Sequence, residues 1–212
     1  MASAEGRKRR GRLFVVSAPS GAGKTSLIDE VLKRMPRLAL SISHTTRKRR
    51  AHEVDGREYF FIDEPEFRRL IDAGAFLEYA KVHDNWYGTQ GDTVERMRMA
   101  GRDVVLEIDC QGARQVKNAF PRAVFIFILP PSLEELERRL VARDSETPAE
   151  LERRLANAKR EFLEAPWYNY IVINDDFEEA AQDLCAIIRT EIIRQRDYRD
   201  LLSQFNPHES QS

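Results

Sequence analysis

Short unbroken apolar runs recur along the chain, and between them lie stretches whose apolar residues return every three or four positions. The runs predict strands over Leu13 to Ser17, Val104 to Ile108, Val124 to Leu129 and Tyr170 to Ile173. The periodic stretches predict helices over Thr25 to Met35, Thr93 to Ala100, Leu133 to Arg143, Ala149 to Leu163 and Phe177 to Arg196. Strands that are apolar throughout suit a sheet covered on both faces, and strand alternating with helix makes that sheet largely parallel, so the fold class is α/β. Pro130-Pro131 stops a strand, and Ser132 after it offers a helix cap.

Between about Leu40 and Asp92 the rhythm changes. Segments shorten and alternate more evenly, and aromatic residues gather there (Tyr59, Phe60, Phe61, Phe76, Tyr79, Trp86, Tyr87), which predicts a small inserted α+β subdomain. From Leu133 to Leu163 the chain is strongly charged around the linker "DSETP", a composition that suits a mobile flap. At 212 residues and 42% hydrophobic content one main core is expected. The basic start, residues 1–11, reads as a disordered arm and residues 201–212 as a frayed tail.

Lys plus Arg total 34 and Asp plus Glu 35, a net charge of −1, so any attraction for an anion must be local, and neither nucleic acid nor membrane is an expected partner. No apolar stretch is long enough for a secretory signal or a membrane span, and Cys110 and Cys185 are unpaired in spacing, so a reducing cytoplasmic location is expected. His44, His52, His83 and His208 show no metal-ligand spacing.

The first predicted strand runs directly into Ala18-Pro19-Ser20-Gly21-Ala22-Gly23-Lys24-Thr25, followed by Ser26, with a helix opening at its end. That is the spacing of the P-loop, with Ala18 where glycine is usual; Ala18 is tolerable if its φ stays negative. Gly21 and Gly23 let successive N–H groups curl around phosphate oxygens, Lys24 reaches the β and γ phosphates, and Thr25 supplies a hydroxyl to Mg²⁺. The loop therefore predicts a nucleoside triphosphate site with Mg²⁺. The later strand ends in Glu107 and Asp109, at the edge where parallel sheets bind ligands. Either carboxylate can steady the metal through water or meet an acceptor.

A triphosphate site does not require the basic run Arg47-Lys48-Arg49-Arg50, but a second phosphorylated substrate does. Arg47, Arg50 and the Tyr59 hydroxyl together can clamp a phosphate by charge-assisted hydrogen bonds, with Glu53 placed to orient an arginine.

The pattern Thr45-Thr46-Arg47-x-x-Arg50-x-x-Glu53-x-x-Gly56-x-x-Tyr59-x-Phe61, with "SGAGK" before it and "NWYGT", "LEIDCQG" and "IVINDD" after it, resembles the guanylate kinases, especially the bacterial ones, from about Arg12 to Arg196. The resemblance implies a core of residues 12–39, 93–131 and 165–200, a GMP-binding insertion of residues 40–92 and a lid of residues 132–164. It implies phosphoryl transfer from ATP to GMP, with dGMP as a further acceptor. By matching positions, Arg47, Arg50, Tyr59 and Tyr87 hold the acceptor phosphate, and Ser43, Glu78, Thr89 and Asp109 surround the guanine. Arg139, Arg143 and Arg154 match arginines that close on the phosphates, and Asn174 matches a residue near the adenine.

The chemistry of guanine fits that assignment: a carboxylate from Glu78 faces its N1–H and N2–H donors, hydroxyls of Ser43 or Thr89 meet O6, and adenine leaves the same groups mispaired. The acceptor phosphate is already ionised, so no strong base is needed, and positioning with charge neutralisation by Lys24 and the arginines carries the transfer. Two rivals are a catalytically silent module of the same shape that binds phosphorylated partners, and a kinase of another small phosphorylated acceptor. The intact Gly23-Lys24-Thr25 disfavours the first, and Glu78 with Ser43 and Thr89 disfavours the second. The sequence departs from the usual pattern at Arg49 and His52, where proline and glycine are frequent, at Glu107 for aspartate, at Cys110 for a bulkier residue, and at Asp144 for glycine.

Overall fold

The computed structural model describes residues 9–82, 84–142 and 148–194. Five parallel strands form the central sheet, in the order β2 (Leu38–Leu40), β7 (Asp103–Glu107), β1 (Leu13–Ser17), β8 (Val124–Leu129) and β9 (Tyr170–Ile173). Successive side chains of a strand point to opposite faces, so each apolar run feeds two cores. Phe14, Val16 and Ile126 pack with Leu27, Ile28 and Val31 of helix α1 (Lys24–Arg34) and with Leu184 and Ile188 of α7 (Phe177–Arg194). On the other face Val15, Leu106 and Phe127 meet Val94 of α3 (Gly91–Met99) and Ala113 and Val116 of α4 (Cys110–Ala119).

The second sheet has the order β4 (Phe60–Phe61), β3 (His44–Thr45), β6 (Asn85–Gln90) and β5 (Phe76–Val82), mixed in direction, with β5 at one edge. Helix α2 (Glu64–Asp72) lies on it and buries Phe67 fully, the ring stacking on Phe76 at 4.5 Å between centroids. Asp63 caps α2 by accepting the Glu66 N–H at 2.9 Å. Helices α5 (Leu133–Val141) and α6 (Pro148–Phe162) share a small core of their own, built on Leu136, Leu140 and Ala158. Ser132 caps α5 as expected, its hydroxyl taking the Glu135 N–H at 3.1 Å.

The predicted strands and helices all appear, with ends displaced by at most two residues where both ends are described. Helix α4 was not predicted, because its polar sequence "CQGARQVKNA" hides a narrow apolar stripe of Ala113 and Val116. The inserted segment was predicted only as a change of rhythm, and β2, α2 and β3 to β6 come from the structure.

The expectation of a free arm over residues 1–11 needs correction at its end. Residues 1–8 lie outside the described residues, but Arg9 donates to both carboxylate oxygens of buried Asp103, at 2.8 and 2.7 Å, and the Arg12 N–H gives that carboxylate a third bond at 2.8 Å. Gly11 bonds Arg98 through both backbone groups, at 2.7 and 3.0 Å, and lies so close to the Arg102 carbonyl that no Cβ fits. A buried carboxylate must be paired, and the arginines nearest the first strand supply the partner. Residues 195–212, with the predicted tail, lie outside the described residues. No helix among the described residues is long and apolar enough to cross a membrane.

Asp103→Ala strands the Arg9 guanidinium and the Arg12 N–H together, which costs about 2 to 3 kcal/mol. Urea unfolding should show that loss, and a change below half a kcal/mol would mean that the arm is not tied to the sheet in solution.

Candidate active site

Strand β1 ends at buried Ser17, and the loop that follows turns back over the sheet through two left-handed glycines, Gly21 at φ 92° and Gly23 at φ 89°. Only glycine adopts this region without strain. Ala18 keeps a negative φ and is buried, so the missing glycine there costs the turn nothing. A Cβ on Gly21 would fall 2.9 Å from Leu140 of α5, and one on Gly23 would fall 2.4 Å from the Asn174 amide nitrogen. The loop is therefore gripped from two sides.

Lys24 donates to the Ile108 carbonyl at 3.0 Å and lies 4.0 Å from the Glu107 carboxylate. The Thr25 hydroxyl donates to Glu107 at 2.5 Å. Both contacts follow from the parallel register that sets Val16 beside Glu107. Thr25 and Glu107 are hard oxygen donors, the type that Mg²⁺ prefers. Among the described residues no group of three or more His, Cys, Asp or Glu could cage an ion. Mg²⁺ is commonly held by one or two protein oxygens together with water and substrate phosphate.

Across a cavity of about 760 Å³ from Thr25 lies the arginine segment. Arg47 is gripped by Glu53 in a two-pronged ion pair, at 2.6 and 3.1 Å, and its guanidinium lies over the rings of Tyr59 and Phe61 at 5.5 and 5.7 Å. Glu53 also accepts the Arg50 N–H at 2.7 Å. Hydrogen bonding from Arg47 is the main cause that drops the Glu53 carboxyl to about 2, so the acid is a fixed anion that aims Arg47. Arg49, one of the departures, bonds the Glu53 carbonyl at 3.1 Å and so closes the turn from its other side. Tyr59 and Tyr87 meet edge to face at 5.8 Å on the same cavity, and burial pushes the Tyr59 hydroxyl up to about 12, so it stays a proton donor.

Glu78 is 4% exposed. It pairs across the sheet with Thr89, whose hydroxyl lies 3.0 Å from that of Ser43, so all three predicted polar groups converge. Burial is the main cause that pushes its carboxyl up to about 7; the Thr89 hydrogen bond opposes the rise and the charge of Asp109 adds to it. Asp109 caps α4 through the Gly112 N–H at 2.8 Å.

Arg139 and Asn174, placed at the phosphates and the adenine by the resemblance, are bonded within the protein. Arg139 donates to Glu135 at 2.7 Å and to the Asn174 carbonyl at 3.0 Å. Asn174 is buried, and its amide donates to the Ala22 carbonyl at 2.7 Å, bracing the loop. Arg154 does reach the loop, 3.3 Å from the Ser20 hydroxyl, and lines the cavity opposite Arg50. Arg143 lies outside the described residues.

Thr25 at the end of the P-loop and a carboxylate-aimed arginine–tyrosine clamp thus line one cavity. The guanylate kinase family model matches residues 10–191. The chain belongs to the guanylate kinase family. It is 48% identical over 187 residues to the guanylate kinase of Geobacter metallireducens, covering 88% of this chain and 92% of that one. It is 52% identical over 184 residues to that of Bordetella pertussis, covering 87% and 86%. The crystal structure of guanylate kinase from Anaplasma phagocytophilum superposes with a TM-score of 0.78 at 33% identity, covering 96% of this chain and 99% of that one.

In this guanylate kinase family member the site also uses residues that sequence reasoning passed over. Gly112 leaves room for Glu78: a Cβ there would fall 2.3 Å from the carboxylate oxygen. Its place within "LEIDCQG" was the available signal, but nothing local distinguishes a helical glycine that faces a strand. Glu161 of α6 shares a smaller cavity of about 350 Å³ with Ser20, Asp109 and Arg154, and burial with the charge of Asp109 pushes its carboxyl up to about 7. No periodicity marks it out.

The raised pKa of Glu78 has a consequence for stability. From its ordinary 4.5 to about 7 the folded protein binds a proton that the unfolded chain releases, so Glu78 costs stability progressively across that window and fully above it. Glu78→Gln, neutral at every pH, should match the parent below pH 4.5 and exceed it by about 3 kcal/mol above pH 7. A stability difference that does not change with pH would rule out the buried, charge-disfavouring environment.

Proposed function

We propose that the protein transfers the γ-phosphoryl group of ATP to GMP, giving ADP and GDP. The observation that carries this reading is the single cavity that faces Thr25 and Glu107 on one wall and Arg47, Arg50, Tyr59 and Tyr87 on the other. Two anion sites in one cavity bring a donor and an acceptor together. The buried Glu78, Ser43 and Thr89 supply the selection for guanine.

The acceptor phosphate oxygen attacks the γ-phosphorus in line, and the bond from that phosphorus to the β–γ bridging oxygen breaks, leaving ADP. The loop backbone from Ala18 to Gly23, together with Lys24, Thr25 and Ser26, holds the donor triphosphate. Lys24 turns from the Ile108 carbonyl toward the transferring group, where its charge counts most in the transition state. Arg47, held by Glu53, and Arg50 fix the acceptor phosphate and screen the two anions from each other. Arg154 reaches in from the lid, residues 132–164, while the acceptor subdomain, residues 40–92, closes from the other side and excludes water. Mg²⁺ neutralises charge on the β and γ oxygens when bound, and Thr25 and Glu107 are the residues that would hold it. The cytoplasm, where ATP and GMP meet, is the proposed location.

Lys24→Ala should lower kcat by about a hundredfold or more with the melting temperature nearly preserved, because the side chain adds only one hydrogen bond, to the Ile108 carbonyl, to the fold. A coupled ADP-release assay measures it, and turnover near that of the parent would remove Lys24 from the reaction. The same assay across GMP, dGMP, AMP, UMP and CMP tests acceptor choice.

Glu78→Gln tests the base. It sets an amide against a guanine donor in a closed site, which should reduce kcat/KM for GMP by about tenfold to a few hundredfold, with the KM for ATP unchanged and AMP little affected. In the parent, kcat/KM for GMP should climb as pH rises through 7 and the carboxylate ionises; in the variant that climb should vanish. Equal losses for ATP and GMP would contradict the assignment.

A further inference from the structure

Tyr79 follows Glu78 on β5, the edge strand of the second sheet, and its backbone N–H and C=O are bonded by the side chain of one core residue. Gln115 of α4 accepts the Tyr79 N–H at 3.1 Å and donates to the Tyr79 carbonyl at 2.7 Å. The amide thus takes the place of a neighbouring strand, satisfying both groups that an edge leaves open. The register of β5 against β6 is irregular between Phe76 and Glu78, immediately before Tyr79, so the ladder is interrupted on that side of Glu78.

Helix α4 carries three relevant residues at a spacing of three, which places them on one side. Asp109 caps its start, Gly112 leaves the space that the Glu78 carboxylate occupies, and Gln115 grips the next peptide. Between them Ala113 and Val116, each 0% exposed, seat the helix in the core. The height of Glu78 above the core is therefore set by α4.

We propose that Gln115 is a positioning residue for base selection, holding the Glu78 carboxylate in register with the guanine edge. It never touches the substrate. This rests on the reading of Glu78 as the group that receives guanine. Without the amide, water takes over both Tyr79 groups and β5 is free to shift at its irregular point, so the carboxylate loses alignment while the P-loop, on another strand, is unaffected.

The test is steady-state kinetics with ATP, GMP and AMP on Gln115→Ala and Gln115→Met, the second keeping length and packing without hydrogen bonds, beside Glu78→Gln. Both Gln115 variants should raise the KM for GMP by about tenfold and lower the preference for GMP over AMP. Their KM for ATP and melting temperature should stay close to the parent's. If they keep the parent's KM for GMP and its base preference while Glu78→Gln loses both, the proposal fails and the Glu78 reading stands. If Glu78→Gln is also silent, the base reading fails and the proposal falls with it. If ATP binding, GMP binding and melting temperature decline together, Gln115 is a general structural contact and the positioning role is wrong.

Discussion

Four residue pairs, from Leu13 with Val104 to Val16 with Glu107, hold β1 and β7 in parallel, and the chain leaves both strands at the same end. Parallel strands need crossovers, and the crossover geometry brings their carboxyl ends to a common edge where ligands collect. From β1 emerges the phosphate loop; from β7 come Glu107, Asp109 and helix α4. Thr25 meets Glu107, Lys24 meets the Ile108 carbonyl, and α4 carries Gly112 and Gln115 toward the second sheet. A slip of one residue along this seam would turn Glu107 to the opposite face and separate all of these contacts.

The two carboxylates assigned to the acceptor on the proposed reading are treated in opposite ways. Glu53 is surrounded by donors and falls to about 2, whereas burial outweighs the Thr89 hydrogen bond at Glu78, which rises to about 7. The first is already satisfied and braces Arg47. The second is desolvated, which costs the protein stability, and on the proposed reading it keeps acceptor capacity for an incoming donor pair.

Arg49 and His52, two departures from the usual pattern, share a loop with the clamp. The Arg49 bond to the Glu53 carbonyl, with the Glu53 N–H bonded to the Arg50 carbonyl at 3.1 Å, closes that turn by side-chain contact where a proline elsewhere stiffens the backbone. His52 lies on the cavity wall. The loop therefore keeps its form by another route.

What the sequence alone determined was whatever depends on residues close together in the chain. The apolar runs gave the four named strands, Gly21 and Gly23 with Lys24 and Thr25 gave the phosphate loop, and the spacing of Arg47, Arg50, Glu53 and Tyr59 gave the clamp. Backbone conformation and side-chain period act over a few residues and leave their mark in the order of residue types. Only the tertiary structure decided contacts across long separations. The Asn174 amide reaches Ala22 across 152 positions and Arg139 is drawn to the Asn174 carbonyl across 35, contacts that no local pattern announces. The space at Gly112 and the grip of Gln115 on Tyr79 were likewise hidden, because each depends on which strand α4 lies against. Sheet order fixes that neighbour, and sheet order emerges from the packing of the whole chain rather than from any window of it.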